Sequence, residues 1–214
     1  METYTAIVKF FQEGGFFMYP IALVMAVGLA IAAERYFYLG KERLVNRKLW
    51  EQISPLLQGG KYQQAMGLTG KTDVAIGKVL NYGLGRARSA KRREDIEMAM
   101  DEGLMEVIPR LERRTHYLAS FANIATLLGL LGTIIGLIQA FTAVAHANPA
   151  EKAELLSSSI SVAMNTTAFG LIVAIPLLLI HSVLQSKTTQ IVDSLEMAAV
   201  KFLNMVGDQP RGAA

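Results

Sequence analysis

The sequence predicts an all-α membrane protein with three transmembrane helices and long cytoplasmic helical extensions. Three observations carry that reading. Asp, Glu, Lys and Arg are missing between Glu13 and Glu34, between His116 and His146, and between Glu154 and Lys187, while charge is dense elsewhere. A hydrocarbon core of roughly 30 Å takes about 20 apolar residues as helix, and each stretch supplies that. Outside the stretches the apolar period is helical: Ile96, Met100, Leu104, Val107, Ile108 and Leu111 oppose Glu97, Asp101, Glu102, Glu106, Glu112 and Arg113. A hydrophobic fraction of 52% in 214 residues also fits one large soluble domain, so the distribution of charge decides the class.

Residues 1–15 read as an amphipathic periplasmic helix, with Ile7, Val8, Phe10 and Phe11 on its apolar side and Gly14-Gly15 as its end. The first span follows over 16–36, and Pro20 falls in its first turn, where a missing N–H costs least. Ala30-Ile31-Ala32 has the look of a cleavage site. The preceding residues, however, carry Glu2, Lys9 and Glu13 instead of a positive cluster, and the apolar stretch is long, so an uncleaved anchor is expected. The region 37–116 reads as cytoplasmic and helical. Its pattern holds through Trp50, breaks at Ser54-Pro55 and Gly59-Gly60, resumes as short helices over 61–67 and 74–88, and ends in a helix over 94–118. That helix is expected to run unbroken into the second span at 117–145, kinked at Pro109. A periplasmic loop over 146–158 contains Ala147-Asn148-Pro149, the third span covers 159–186, and 187–214 form a cytoplasmic helix and tail carrying Thr188, Ile191, Leu195, Ala198 and Phe202.

Basic residues set the orientation. Of 21 Lys and Arg, 16 lie between the first two spans, whereas Lys9 alone precedes the first and Lys152 alone follows the second. The positive-inside rule places the middle region and the C-terminus in the cytoplasm and the N-terminus outside. The same bases are interleaved with 11 acids from Glu34 to Glu112, with few aromatics around Lys91, Arg92 and Arg93, which argues against nucleic acid and for a solvated face near anionic lipid. The absence of cysteine removes disulfides, thiol nucleophiles and Cys-based metal sites.

Polarity inside the spans is sparse and placed. Thr126 and Thr133, seven apart, share a face with Gly129, Gly136 and Ala140, and Gly132 adds to the small-residue seam. On the third span Ala163, Thr167, Gly170 and Ala174 make a second small stripe. Small stripes serve close helix packing. A hydroxyl on each, Thr133 and Thr167, points beyond packing to a narrow polar lumen. Asn165 and Thr166 are turned about 100° per residue from that face and read as partners for a neighbouring helix or subunit, within the same polar set. The three charge-free stretches hold no Asp, Glu, Lys or Arg, so if the protein conducts ions the ionisable group is expected to come from elsewhere. His181, near the cytoplasmic end of the third span, reads as an interfacial hydrogen-bonded residue in preference to a proton relay. No Ser/His/Asp constellation, carboxylate pair or His metal spacing falls within the spans, so the chain is not read as an enzyme.

These residues resemble the MotA/TolQ/ExbB proton-channel superfamily, closest to its TolQ/ExbB branch. The likeness is carried by Gly14-Gly15 through Tyr19-Pro20, Glu34-Arg35, Leu111-Glu112-Arg113 into Leu118-Ala119, the block Leu128 to Phe141, and Thr167-Ala168-Phe169-Gly170-Leu171 to Ala174-Ile175-Pro176. The resemblance implies a homopentameric ring around a central pore, enclosing two copies of a single-span partner of the ExbD, TolR or MotB type. The partner's membrane aspartate handles the coupling ion, Thr133 and Thr167 match the pore threonines facing it, and Gly129, Gly132, Gly136, Ala163, Gly170 and Ala174 let helices close around the inserted partner. A TonB-like effector and energised envelope work follow from the same likeness, in the bacterial inner membrane. Thr126, Asn165 and Thr166 complete the proposed ion pathway. Two positions depart from the branch: Val162 stands where a glutamate is common, and Ala125-Thr126 where Ala-Pro is common. No cofactor is expected beyond the coupling ion, H+ by resemblance, with Na+ as the alternative because oxygen-rich linings suit hard cations. A flagellar-type stator subunit and a passive scaffold, its threonines bonded to their own backbones, are the competing readings.

Overall fold

The computed structural model describes residue 10 and residues 14–90 and 92–207. Most of the expected N-terminal amphipathic helix and the tail from residue 208 lie outside the described residues. Six helices run through the described residues from 14 on: α1 Met18–Gln58, α2 Tyr62–Thr69, α3 Ala75–Ala87, α4 Arg93–Glu112, α5 Thr115–His146 and α6 Lys152–Gly207. No strand occurs among the described residues. Three helical stretches, within Met18–Gln58, Arg93–His146 and Lys152–Val206, are long and apolar enough to cross a membrane. The chain is therefore a multi-pass helical membrane protein.

It divides into two compact units. Of the described residues, the first takes those within Met1–Glu34 and Arg114–Val183, and the second those within Arg35–Arg113 and Leu184–Ala214. In the first, α5 and α6 pack through small residues, and Gly28 of α1 takes Leu177 of α6, whose Cδ2 would lie 2.9 Å from an added Cβ. Pro176 lies inside α6 without ending it. In the second, Ile53, Leu57, Leu80, Met100, Leu111 and Phe202 are fully buried and form the core. Gly83 is small because Met100 and Phe202 fill its surroundings, each within 3 Å of where a Cβ would stand. Burial of Ile191, Leu195, Ala198 and Phe202 gives the end of α6 its core-facing stripe.

Three helix ends differ from the sequence expectation, one of them the start of α6, which begins at Lys152 inside the expected loop over 146–158. Ser54-Pro55 does not break α1, which runs on to Gln58 with Pro55 inside. The helix ends instead in a paired closure: Lys61 N–H donates to Leu56 O at 2.8 Å and Gly60 N–H to Leu57 O at 3.1 Å. Gly60 has φ of 68°, the left-handed geometry that this closure demands and that glycine adopts freely. The buried Ile53 and Leu57 on either side of the proline offset its lost donor.

The third difference is at the junction of α4 and α5. The expected unbroken helix is interrupted at Arg113 and Arg114, the latter at φ of 66°. A left-handed non-glycine residue costs roughly 1–2 kcal/mol. Compensation is local. In the first unit Arg114 Nη1 meets Glu34 Oε2 at 3.1 Å; in the second unit the buried Arg35 donates to the carbonyl of Leu111, one of those left over at the end of α4. Arg35 also stacks over Tyr38, 4.7 Å from the ring centroid.

Gly40 and Gly85 are interior helical glycines with open space where a Cβ would go. Alanine there restricts the unfolded chain and meets nothing in the folded one, so Gly40→Ala and Gly85→Ala are each expected to add about 0.4–1 kcal/mol. Thermal unfolding of the purified protein in detergent reads this as a small upward shift.

The second unit also carries a charge cluster. Lys78 Nζ contacts Asp73 Oδ1 at 2.6 Å and Glu106 Oε1 at 3.5 Å, Arg110 contacts Glu106 Oε1 at 2.8 Å, and the Tyr82 hydroxyl donates to Glu106 Oε2 at 3.1 Å. The hydrogen bond from Lys78 holds the Asp73 carboxyl below its ordinary range, and that from Tyr82 does the same for Glu106. A carboxyl depressed in the folded state stabilises above its unfolded pKa, and that contribution is lost as pH falls through the folded value. Melting of this unit is expected to ease below the ordinary carboxylate range, modestly because Asp73 is 87% exposed. Glu106→Gln should flatten that acid limb.

Candidate functional site

The site is built where α5 and α6 cross. Gly129 and Gly170 set the approach: a Cβ on Gly170 would stand 2.7 Å from Ala125 O and 3.1 Å from Gly129 Cα. One on Gly129 would stand 3.3 Å from Gly170 Cα, Thr166 O and Thr167 Cα. These neighbours are all backbone, and Gly136 is similarly held, with Ala163 Cβ at 3.0 Å. Gly132 faces the methyl of Thr166 and Phe17 Cβ. Ala163 and Ala174 are buried in the same unit. The smallness of these glycines is thus used in packing within one chain.

That closeness brings two hydroxyls together. Thr133 Oγ1 and Thr167 Oγ1 are in direct hydrogen-bond contact across the crossing. Thr167 Oγ1 also lies 2.9 Å from Gly129 O, and Thr133 Oγ1 lies 3.3 Å from both Gly129 O and Ala163 O. Each hydroxyl has one proton to give. Either Thr133 donates to Thr167 and Thr167 to Gly129 O, or Thr167 donates to Thr133 and Thr133 to a carbonyl. Both orders satisfy the pair and leave lone pairs able to accept from a third group. The two threonines are half-buried, so one side of the pair is open.

The other polar residues go elsewhere. Thr166 is 2% exposed, and its Oγ1 lies 2.6 Å from Gly14 O and 3.0 Å from its own helix at Val162 O. It therefore ties α6 to the segment ahead of α1. Thr126 is exposed and bonds back to Ala122 O at 3.1 Å, the ordinary habit of a helical threonine. Asn165 is half-buried. Val162, at the position where the branch commonly has glutamate, has its Cγ1 3.3 Å from where a Cβ on Gly15 would stand. A longer acidic side chain there would press on that turn, where Gly15 has φ of 74°. Among the described residues no group of His, Cys, Asp or Glu could hold a metal ion.

Sequence reasoning did not find the Gly14 acceptor, the αL turn at Arg114 or the carbonyl held by Arg35. Only Glu34-Arg35 beside the span gave a signal, a charged pair where a helix leaves an apolar stretch.

Three membrane-length helices, two of them crossing at glycines that bring two hydroxyls together, define a polytopic helical membrane protein. The chain belongs to the MotA/TolQ/ExbB proton channel family, which residues 71–197 match. It is similar to a putative biopolymer transport protein ExbB homolog of Methanothermobacter thermautotrophicus, 28% identical over 193 residues, covering 89% of this chain and 67% of that one. It is 29% identical over 116 residues to the Tol-Pal system protein TolQ of Haemophilus influenzae, covering 54% of this chain and 50% of that protein. A shorter stretch of 53 residues is 47% identical to the biopolymer transport protein exbB1 of Vibrio cholerae, covering 25% and 23%. The chain is a membrane proton-channel subunit of the ExbB/TolQ type.

Proposed function

We propose that five copies of this chain ring two copies of a single-span ExbD/TolR-like partner in the bacterial inner membrane and convert proton motive force into work on the cell envelope, such as energised outer-membrane transport. One observation carries the reading: the Thr133 and Thr167 hydroxyls meet midway along charge-free helices, joined to each other and half-open on one side. A hydroxyl pair can solvate an ion or a carboxyl but cannot itself carry charge, so the titrating group is the partner's membrane aspartate. Moving one charge through about 100 mV yields roughly 2.3 kcal/mol, enough for a few ions to shift a helix-in-ring equilibrium of several kcal/mol. The chain is no enzyme in this reading and needs no cofactor beyond the ion.

The exposed apolar surface supports a ring. In the most apolar 18-residue windows of the three spans, 22%, 22% and 33% of positions are buried within the single chain. The remainder is available to lipid, to identical copies and to an inserted helix. The basic middle region favours the cytoplasm, with the N-terminus periplasmic. A TonB-like effector would take the output on that outer side.

The test is copurification with a single-span neighbour and counting by native mass spectrometry. A 5:2 particle whose output collapses with the proton gradient supports the reading. A particle without room for the second component would sink it. Output that follows a sodium gradient at constant pH would replace H+ by Na+, which the cluster of oxygen acceptors around Thr133 would suit.

A further inference from the structure

Two clefts run along the two flanks of α6 in the second unit. The first lies against α1 and encloses about 310 Å³; Arg43, Arg47 and Trp50 border it from α1, Met197 and Lys201 from α6. The second lies against α4 and encloses about 140 Å³; Glu97 and Asp101 border it from α4, Glu196 and Val200 from α6, over Met100 and Leu104. At about 100° per residue, the α6 residues of the two clefts centre about 150° apart around the helix. They lie at one level, since Glu196 and Met197 are consecutive, as are Val200 and Lys201.

The two flanks carry opposite charge. No carboxylate lines the first cleft, and no cation lines the second. Glu51 takes up Arg47 at 2.9 Å, which leaves Arg43 and Lys201 as the cations of the first flank. Both are exposed and without an ion-pair partner among the described residues, and the same is true of Glu97, Asp101 and Glu196. Arg93, one turn before Glu97, is engaged with Asn204 at 2.7 Å. Apolar surface stands open beside both sets: Met197 is 56% and Val200 51% exposed, although both lie beyond Lys187, where the charge-free stretch has ended. The clefts are at and below the small end of small-molecule pockets, which suits surface docked on surface.

We propose that the acidic flank of one copy of this chain docks on the basic flank of the next. A chain that closes into a ring meets its two neighbours through two different patches, which must stand at one height on opposite flanks. The two clefts have that placement. Glu97, Asp101 and Glu196 of one copy then face Arg43 and Lys201 of its neighbour, and the open Met197 and Val200 are covered. Exposed ion pairs are individually weak, so the charges set the register and exclude acid flank on acid flank more than they add affinity. The contact rests on the ring reading above and names the surface by which the copies touch outside the spans.

The chain has no cysteine, so introduced thiols react alone. The full-length Arg47→Cys/Asp101→Cys variant carries one thiol on each flank and keeps Arg43, Lys201, Glu97 and Glu196. Treated in detergent with a short bifunctional maleimide, it is expected to give a ladder from dimer to the closed ring on a denaturing gel, whereas either single-cysteine variant stays monomeric. Adding Arg43→Glu and Lys201→Glu should cut the ladder at least fivefold, and adding Glu97→Lys and Glu196→Lys to that chain should restore at least half of it. Dimers from a single-cysteine variant would overturn the proposal by showing like flank on like flank. A ladder that ignores the reversal, or that the compensating swap fails to restore, would overturn it too. Native mass spectrometry of the unlinked samples separates the two readings: a ring without a ladder overturns this contact and leaves the ring standing, while monomers alone overturn both.

Discussion

A Gly170→Ala variant is expected to lose the crossing of α5 and α6 and to unfold at markedly lower temperature in detergent than the parent protein. The added methyl would stand 2.7 Å from Ala125 O, 3.1 Å from Gly129 Cα and 3.4 Å from Gly129 N. None of these can rotate aside, because all three are backbone of a regular helix. The helices must separate, and overpacking of this kind costs typically 1–3 kcal/mol. Within a membrane no hydrophobic force draws helices back together, so lost van der Waals contact is not replaced. Separation also stretches the 2.9 Å contact from Thr167 to Gly129 O and parts the two hydroxyls. Gly85→Ala serves as the control, since the same methyl there meets open space. If Gly170→Ala melted with the parent, the close approach of these backbones would be refuted.

The spans were legible because charge is a coarse and reliable signal: a 36-residue run without Asp, Glu, Lys or Arg admits few readings. The stripe on α4 was legible for a similar reason, and Ile96, Met100, Leu104, Val107 and Leu111 are all buried. The break before α5 was not. Pro109 lies inside α4, and the turn comes at Arg113 and Arg114, held by Glu34 from a distant part of the chain. Local propensity does not encode such a partner. The site divides in the same way. Two small-residue stripes each bearing a threonine could be read from the 3.6 period, but not which small residue meets which. Gly129 meets Gly170, and that register alone puts Thr133 against Thr167. Thr166, one position on, is turned to the carbonyl of Gly14, an acceptor that has no side chain to betray it.

The register makes the second large prediction specific. Thr133→Val and Thr167→Val keep shape and volume and remove only the hydroxyls, so the glycine crossing survives and the ring is expected to assemble with its partner. Each single variant leaves one hydroxyl, which still donates to a backbone carbonyl while its lone pairs accept, so a partial loss is expected. The double variant leaves nothing to solvate a partner carboxyl as its charge changes. A hydrogen bond to a charged group is worth about 1.5–3 kcal/mol, and each 1.4 kcal/mol is tenfold. Ion-driven output is therefore expected to fall at least tenfold in the double variant, with stoichiometry unchanged. Thr167→Ser, which restores the oxygen without the methyl, should recover most of it on a Thr133→Val background. A passive scaffold predicts the opposite pattern, since its threonines matter only to helix packing: valine at both positions would leave energy-dependent output at the parent level. Measuring output and particle composition on the same preparations separates the two readings, because only the channel loses work while keeping its shape.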